Sequence, residues 1–166
     1  MDGRFIALAR EFGAALGRER HTLIFGGTDT GMMGAMARSA REAQGRVVGV
    51  MPRFMLDEGV PVFPADESLV VEDMGERKWA MLGASDVVAV LPGGLGTLDE
   101  LFEVLALRVL KRVPHRVVVV NAWGFFDPLA AMIERIRAER MAREETRGYC
   151  AWVTDVRSGM AELASP

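Results

Sequence analysis

The sequence predicts a single α/β domain, residues 1–166, in which helices flank a doubly wound parallel sheet. Short apolar runs alternate along the chain with segments of helical periodicity, which is the order expected of parallel strands joined by crossover helices. The run 87–91 is apolar throughout, as in a strand buried on both faces. Two runs lead into glycine-rich turns, which in this fold class lie at the ligand-binding edge of the sheet. A chain of 166 residues can bury roughly 70% of its unfolded surface in one such domain.

The first part of the chain is predicted to run helix, strand, helix, strand. Apolar residues recur at helical spacing over 5–16, so the chain opens on a helix. The strand at 22–25 leads into a glycine turn, and a second helix follows from about 32 to 43. The next strand, 47–51, is expected to stop at Pro52 because proline cannot donate to a sheet.

The segment 52–67 holds three prolines and has no clear hydrophobic period, so we expect an irregular excursion there. Beyond it, strands and helices alternate again. The predicted strands are 69–71, a central strand at 87–91, 117–120 and an edge strand at 151–153. Four helices are predicted: 76–84, one after the central strand, one starting at Asp127-Pro128, and a last one capped by Asp155. The inner face of the helix after the central strand is expected to hold Leu98, Leu101, Phe102, Leu105 and Val109.

The stretch 91–100 combines a strand end, a glycine-rich turn and a helix start. Three glycines at 93, 94 and 96 leave room for a ligand to approach the backbone closely. Backbone N–H groups and the positive end of the helix dipole would point at one place, which suits a phosphate or another small anion. Thr97 is expected to cap the helix or to bond a phosphate oxygen, and Glu100 lies one helical turn further in. The sequence therefore predicts a nucleotide-type site that carries its own carboxylate.

The earlier glycine turn, 26–34, is a weaker signal. Neither turn reads G-x-G-x-x-G or ends in the Gly-Lys-Ser/Thr of a P-loop, so the two common nucleotide fingerprints are absent. An ordinary β–α turn is an alternative for 26–34, whereas three glycines in four residues exceed what a turn at 93–97 needs. Since both turns follow strands, one crevice can use both.

Charged residues begin the predicted helices on either side of the central strand. The run 76–78 opens a helix that is expected to be anchored by Trp79, Met81 and Leu82, which places its start near the carboxyl edge of the sheet. An arginine there can pair with a phosphate or with Glu100, and a solvated charge run is the alternative. The dipole of the helix after the central strand favours negative charge, so Glu100 is expected to stay ionised and to be suited to base or electrostatic catalysis. Glu103, on the same helix, is expected to complement the dipole.

The composition excludes several classes of protein. A formal net charge of −3 gives no electrostatic footprint for nucleic acid, and no run of ~18 uncharged apolar residues marks a membrane span. The N-terminus leads into a charged amphipathic stretch instead of a signal core, and the single Cys150 excludes an internal disulfide framework, so we expect a cytoplasmic protein. His21 and His115 have no second His or Cys at ligand spacing, so no metal site is predicted.

Three motifs together resemble one family: Gly26-Gly27-x-x-x-Gly31-Met32-Met33-Gly34, Met74-Gly75-Glu76-Arg77-Lys78 and Pro92-Gly93-Gly94-x-Gly96-Thr97-x-x-Glu100. Over about residues 4–163 the chain is similar to the LOG (LONELY GUY) phosphoribohydrolases, which release cytokinin bases from nucleoside 5′-monophosphates and were long labelled lysine decarboxylases. The last motif is specific to this superfamily and less so to one substrate. The resemblance implies a Rossmann-like fold, usually a homodimer, that hydrolyses the N-glycosidic bond of AMP or its isopentenyl form without a cofactor.

The resemblance also implies which residues take part. The family's catalytic arginine and glutamate correspond to Arg77 and Glu100, and its phosphate loop to 94–97. The implied substrate-binding residues are Lys78, Gly26, Gly27, Gly93, Gly94, Gly96, Thr97, Asp99 and, through an alignment that needs a gap, Glu58. Cleavage of a glycosidic bond passes through an oxocarbenium-like state. We expect Glu100 to stabilise that cation or orient the attacking water, and Arg77 to hold the phosphate and ribose side.

The sequence departs from the family pattern at two places. Thr28 stands where the family has a third glycine, which is expected to narrow or re-polarise that side of the pocket. The family's opening strand, central in its sheet, and the small-residue loop after it are missing before Asp2. We predict that the assigned start lies too far downstream, that the chain has been shortened, or that other residues take the strand's place. Intact-mass analysis of protein expressed from upstream sequence tests the first option.

Two other functions are weighed against the hydrolase. Carrier proteins of the same superfamily, similar to molybdenum-cofactor carriers, bind an anionic ligand without turnover, and the presence of both Arg77 and Glu100 favours the enzyme over them. A lysine decarboxylase would need a pyridoxal-phosphate lysine, for which Lys78 and Lys111 are the only choices. The preferred base is expected to depend on the 52–67 excursion and on a second subunit.

Overall fold

The computed structural model describes residues 2–143, 146 and 148–165 of the chain. These residues divide into two compact units, Met1–Ser85 and Asp86–Pro166. Each unit contains a three-stranded parallel sheet and the helices that follow its strands. The prediction of an α/β fold with parallel strands is therefore confirmed. That all 166 residues form one domain remains a prediction.

The first unit holds three strands and four helices among its described residues. In chain order they are α1 (Gly3–Arg18), β1 (Thr22–Phe25), α2 (Gly31–Glu42), β2 (Arg46–Pro52), α3 (Arg53–Asp57), β3 (Glu67–Val71) and α4 (Met74–Gly83). The sheet order is β1-β2-β3, so β2 is central, and its residues from Val47 onward are all buried. Pro52, predicted to stop β2, is its last residue and pairs with Val71.

The close packing of α1 on α2 depends on small residues. A Cβ at Gly13 would collide with the Met36 carbonyl, and one at Gly17 would collide with the Ala40 carbonyl. Phe12 of α1 is 1% exposed, and Ala37 of α2 is fully buried. The apolar periodicity of the opening segment thus predicted the helix that covers this part of the core.

The second unit contains β4 (Val87–Val90), α5 (Leu95–Val109), β5 (Arg116–Val120), α6 (Asp127–Ala138), β6 (Cys150–Val153) and α7 (Val156–Ala164). A short 3-10 turn, Ala122–Gly124, follows β5. The sheet order is β4-β5-β6, and the central β5 is buried from Val117 to Val120. Two predictions are confirmed here: 151–153 belongs to an edge strand, and Asp155 caps α7 by accepting from the Ser158 N–H at 2.8 Å.

The prediction of β4 as a central, fully buried strand is wrong. β4 lies at the edge of its sheet; only Val90 is buried, and Ala89 is exposed. The predicted inner face of α5 is also partly wrong, because Phe102 is 44% exposed while Leu101 and Val104 are buried.

The excursion between β2 and β3 is more ordered than predicted. It begins with the short helix α3, and its later part lies along the first glycine turn. The Asp29 N–H donates to the Pro61 carbonyl at 2.8 Å, and the Phe63 N–H donates to the Gly27 carbonyl at 2.9 Å. An isolated antiparallel bridge joins Thr28 to Val62 between these bonds. The sequence did not predict this pairing, because it joins residues more than thirty positions apart.

Among the described residues, helix α1 precedes β1, as the opening periodicity predicts. Whether a further strand precedes it in the full protein remains a prediction. Among the helices that the structure describes, none is both long and apolar enough to cross a membrane.

Candidate functional site

The turn between β4 and α5 presents an uncapped helix N-terminus. Gly94 occupies the N-cap position, makes no side-chain cap bond, and is followed by a first turn without an acidic residue. The first N–H groups of a helix have no acceptor inside the helix. Thr97 was predicted as a possible cap, and that option is wrong, because the helix begins two residues earlier at Leu95. The Thr97 side chain lies against Gly93, where a Cβ would collide with it.

Among the residues that the structure describes in the second unit, none crowds these amides. Gly94 and Gly96 are exposed, and a Cβ at either position would meet no heavy atom within 4 Å. Helices α1, α4 and α7 differ, since their N-termini are capped by the carboxylates of Asp2, Asp73 and Asp155. The start of α5 is thus suited to an anion from outside the helix, because backbone N–H groups and the dipole both favour negative charge there.

Carboxylates occupy the next turn of α5. Asp99 is exposed and Glu100 is half-buried, one helical turn beyond the open amides. The spacing predicted from the sequence is thus present within this unit, with Gly93, Gly94, Gly96, Thr97 and Glu100 on one strand–turn–helix segment.

In the first unit, Arg77 and the first glycine turn lie in direct contact. Arg77 is 6% exposed; its Nη2 donates to the Gly26 carbonyl at 2.8 Å and its Nε to the Val50 carbonyl at 3.1 Å. A Cβ at Gly26 would collide with this guanidinium. Gly26 is therefore needed for the close approach of Arg77, whatever its relation to a ligand.

In the remainder of the first glycine turn, side chains of the protein itself lie against the glycines. Gly27 has a φ of +79°, so a side chain there would be strained. A Cβ at this position would also lie 3.4 Å from the Val50 carbonyl of β2. The Asp29 carboxylate lies against Gly34 in the first turns of α2 and pairs with Arg38. An acidic group therefore already complements the start of α2, which makes this helix less suited than α5 to bind an external anion. That Gly26 and Gly27 bind substrate remains a prediction.

Helix α4 fixes Arg77 through its first turn. Asp73 caps the helix by accepting from the Glu76 N–H at 2.8 Å, and the Glu76 carboxylate accepts from the Glu72 N–H at 2.9 Å. The buried residues of α4 are Arg77 and Leu82. Of the three residues predicted to anchor the helix, Leu82 is buried and Met81 is half-buried, whereas Trp79 is 51% exposed, so the prediction is wrong for Trp79.

Two methionines of the family motifs, to which no role in the site was assigned, lie beside Arg77 and the first glycine turn. The Met74 sulfur is 3.8 Å from Nη1 of Arg77, and the Met33 sulfur is 3.7 Å from the hydroxyl of the buried Thr28. Both side chains are 38% exposed. Although both belong to the motifs, methionine at helical spacing is commonly a core residue, so the sequence alone did not mark them as site residues.

The other predicted residues are placed as follows. Lys78 is half-buried on α4, next to Arg77 in sequence. Glu58 is exposed and forms the C-cap of α3. Within the described residues no group of three or more His, Cys, Asp or Glu side chains is arranged to hold a metal ion. Burial raises the pKa of the Cys150 thiol to about 11, against a smaller opposing effect of Arg108, so this cysteine is protonated at neutral pH.

Comparison with known proteins identifies the family. A family model described as possible lysine decarboxylase matches residues 33–163. The cytokinin riboside 5′-monophosphate phosphoribohydrolase of Mycobacterium tuberculosis is 41% identical over 77% of this chain and 68% of its own length. The protein of the same name from Rhodococcoides fascians is 34% identical over 96% of this chain and 81% of its own.

Solved structures share the fold. The molybdenum cofactor carrier protein of Chlamydomonas reinhardtii matches with a TM-score of 0.70 at 21% identity, covering 98% of this chain and 88% of its own. The molybdenum cofactor binding protein of Rippkaea orientalis matches with a TM-score of 0.67 at 19% identity, covering 96% and 85%. These likenesses concern the fold alone. The family model and the relatives above 30% identity go further: this chain belongs to the LOG family, whose model is described as possible lysine decarboxylase.

Proposed function

We propose that this protein hydrolyses the N-glycosidic bond of a nucleoside 5′-monophosphate, AMP or a cytokinin riboside monophosphate, to the free base and ribose 5-phosphate. The observation that carries the proposal is the uncapped start of α5, with Glu100 one turn inside the same helix. The names of the curated relatives describe the same reaction.

The phosphate group is proposed to supply most of the binding energy. The amides between Gly94 and Thr97 offer donors at a helix start whose N-cap residue, a glycine, has no side chain to accept from them. A dianionic phosphate gains both from these hydrogen bonds and from the helix dipole. Because the phosphate is remote from the bond that breaks, its binding energy can align the sugar with the catalytic groups.

Glu100 is assigned to the reacting centre. The bond between sugar and base breaks with positive charge developing on the anomeric carbon, and a nearby carboxylate stabilises that charge. The same carboxylate can orient the water that attacks this carbon. Glu100 lies one helical turn from the backbone N–H groups that are proposed to bind the phosphate, which suits either role.

Arg77 is assigned to the phosphate and ribose side. Its two hydrogen bonds to the Gly26 and Val50 carbonyls hold the plane of the guanidinium fixed. A positive charge with so little freedom can act on a bound anion without loss of side-chain entropy. The proposal requires Arg77 and Glu100 to act in one reaction, so their substitutions should be strongly non-additive.

A panel of nucleoside monophosphates, assayed for free base, tests the activity. Glu100→Gln should abolish release of ribose 5-phosphate from AMP while nucleotide binding stays measurable. Glu103→Gln, on the same helix, is the matched control and should retain turnover. Undiminished turnover by Glu100→Gln would refute the assignment of Glu100. Binding of nucleotides by the wild-type protein without any hydrolysis would indicate a carrier instead.

We also propose that the protein works as a homodimer in the cytoplasm, as the family relationship leads us to expect. Light scattering on the purified protein tests the first point. A monomer with full activity would contradict it.

A further inference from the structure

Trp123 has a left-handed backbone conformation in a place unlike that of the other described residues with a positive φ. Five described residues other than glycine have a positive φ: Arg20, Gln44, Lys111, Arg140 and Trp123. The first four each lie two positions beyond the end of a helix, where a left-handed residue commonly closes the helix. Trp123, at a φ of +55°, lies inside the 3-10 turn after β5 and closes no α-helix.

The turn around Trp123 is held by its neighbours. The Asn121 side-chain carbonyl accepts from the Phe126 N–H at 2.6 Å, and its amide donates to the Asp127 carboxylate at 2.7 Å. A left-handed conformation is costly for a bulky residue and persists where the surroundings impose it. Burial of the indole does not offset that cost, since Trp123 is 56% exposed while Ala122 and Phe126 are 3% and 2% exposed.

Trp123 follows the carboxyl end of β5, three positions after Val120. β4 and β5 are parallel neighbours, with Val90 paired to Val119. The glycine turn after β4 and the turn that carries Trp123 therefore leave the same edge, about one interstrand spacing of 4.8 Å apart at the strand ends. In sheets of this kind ligands bind beyond the carboxyl ends of the strands.

We propose that Trp123 stacks on the nucleobase of the bound nucleotide and so favours purine over pyrimidine monophosphates. This inference rests on the proposed function, because it requires a nucleotide whose phosphate binds at the start of α5. An indole presents a flat, rigid face at little cost in conformational entropy, and it stacks on any base, with larger contact on a purine. Trp123 is thus a base-binding residue, separate from the groups that act on the glycosidic bond.

The test uses Glu100→Gln protein, in which bound AMP is not consumed. Trp123→Gly removes the indole and also suits the positive φ, so the turn should keep its fold. We expect AMP to bind about tenfold more weakly to this double variant, the scale of one lost base stack. Binding of ribose 5-phosphate, which has no base, should not change. Trp123→Phe, which retains an aromatic ring, should keep most of the AMP affinity.

Fluorescence gives an independent reading of the same contact. AMP should quench the emission of the Glu100→Gln protein, and the quenching should be lost with Trp123→Phe but kept with Trp152→Phe, the matched control in the same unit. Equal AMP affinity with and without the indole would overturn this inference alone. Loss of self-association in Trp123→Gly with unchanged AMP binding would overturn it in favour of a subunit interface. A Glu100→Gln parent that binds neither AMP nor ribose 5-phosphate would overturn the proposed function as well.

Discussion

Arg77 and Gly26 are joined by a buried hydrogen bond of 2.8 Å between Nη2 and the backbone carbonyl. A second bond, from Nε to the Val50 carbonyl, ties the same guanidinium to the central strand β2. Arg77, for which we propose a catalytic role, is thus also a structural link between α4, the first glycine turn and the sheet. Substitutions at Arg77 should therefore change stability whatever they do to activity, and the two effects have to be measured separately.

Arg77→Ala should lower the free energy of unfolding by about 3 kcal/mol, because two buried carbonyls lose their donor. Urea denaturation followed by circular dichroism measures this. Arg53→Ala is a matched control: Arg53 is exposed and 3.8 Å from Glu72, a pair whose loss should cost about 0.5 kcal/mol or less. An unfolding free energy that is unchanged in Arg77→Ala would contradict the linking role.

Alanine substitutions should affect stability at the first glycine turn and ligand binding at the second. Gly26→Ala places a Cβ against the Arg77 guanidinium and should destabilise the protein by about 1–3 kcal/mol, the usual cost of overpacking. Gly96→Ala meets no atom within 4 Å and lies in α5, so the fold should be equally or more stable. The added methyl group beside the open amides should nevertheless weaken AMP binding and inhibition by inorganic phosphate.

Isothermal titration with AMP and phosphate, together with thermal unfolding, distinguishes these outcomes. Gly83→Ala serves as the control, since its Cβ also meets nothing within 4 Å and it lies at the end of α4. It should leave nucleotide binding unchanged. If Gly96→Ala binds AMP and phosphate as well as the wild-type protein does, the start of α5 is not the phosphate site.

The sequence predicted local features well because their causes are local. The periodicity of α1 and the Asp155 cap of α7 depend on residues a few positions apart, and both are confirmed. The edge position of β4 was not predictable from its composition, since apolar residues suit central and edge strands alike and the pairing partners are distant.

The same reasoning applies to the site. The open amides of 93–97 follow from one continuous stretch, so the pattern sufficed to locate them. The partners of Arg77 are 51 and 27 residues away, and no spacing rule connects them. Sequence therefore identified Arg77 as a candidate through the family motif, whereas its burial and its bonds to carbonyls required the structure.

Cys150 should react slowly with alkylating reagents. Its pKa is raised by burial from 9.0 to about 11, so at pH 8 the reactive thiolate is roughly 100-fold scarcer than for an ordinary thiol. Because the folded-state pKa exceeds the unfolded one, the protonated thiol favours the folded chain below pH 9, and this contribution is lost as the pH rises through about 11. Iodoacetamide labelling followed by mass spectrometry, between pH 7 and 10, measures the reactivity. Urea-unfolded protein is the control, and equal labelling rates in both states would contradict the prediction.

Removal of the Asp73 cap should weaken the start of α4. Asp73→Ala deprives the Glu76 N–H of its acceptor, and a lost N-cap typically costs about 1 kcal/mol. Since Arg77 lies in the first turn of this helix, we also expect a lower kcat for AMP hydrolysis. Asp73→Ser retains an oxygen acceptor at the cap and should restore both stability and kcat. Chemical denaturation and steady-state kinetics on the three proteins measure the two effects, and an alanine variant that matches the wild type in both would show that the cap does not position Arg77.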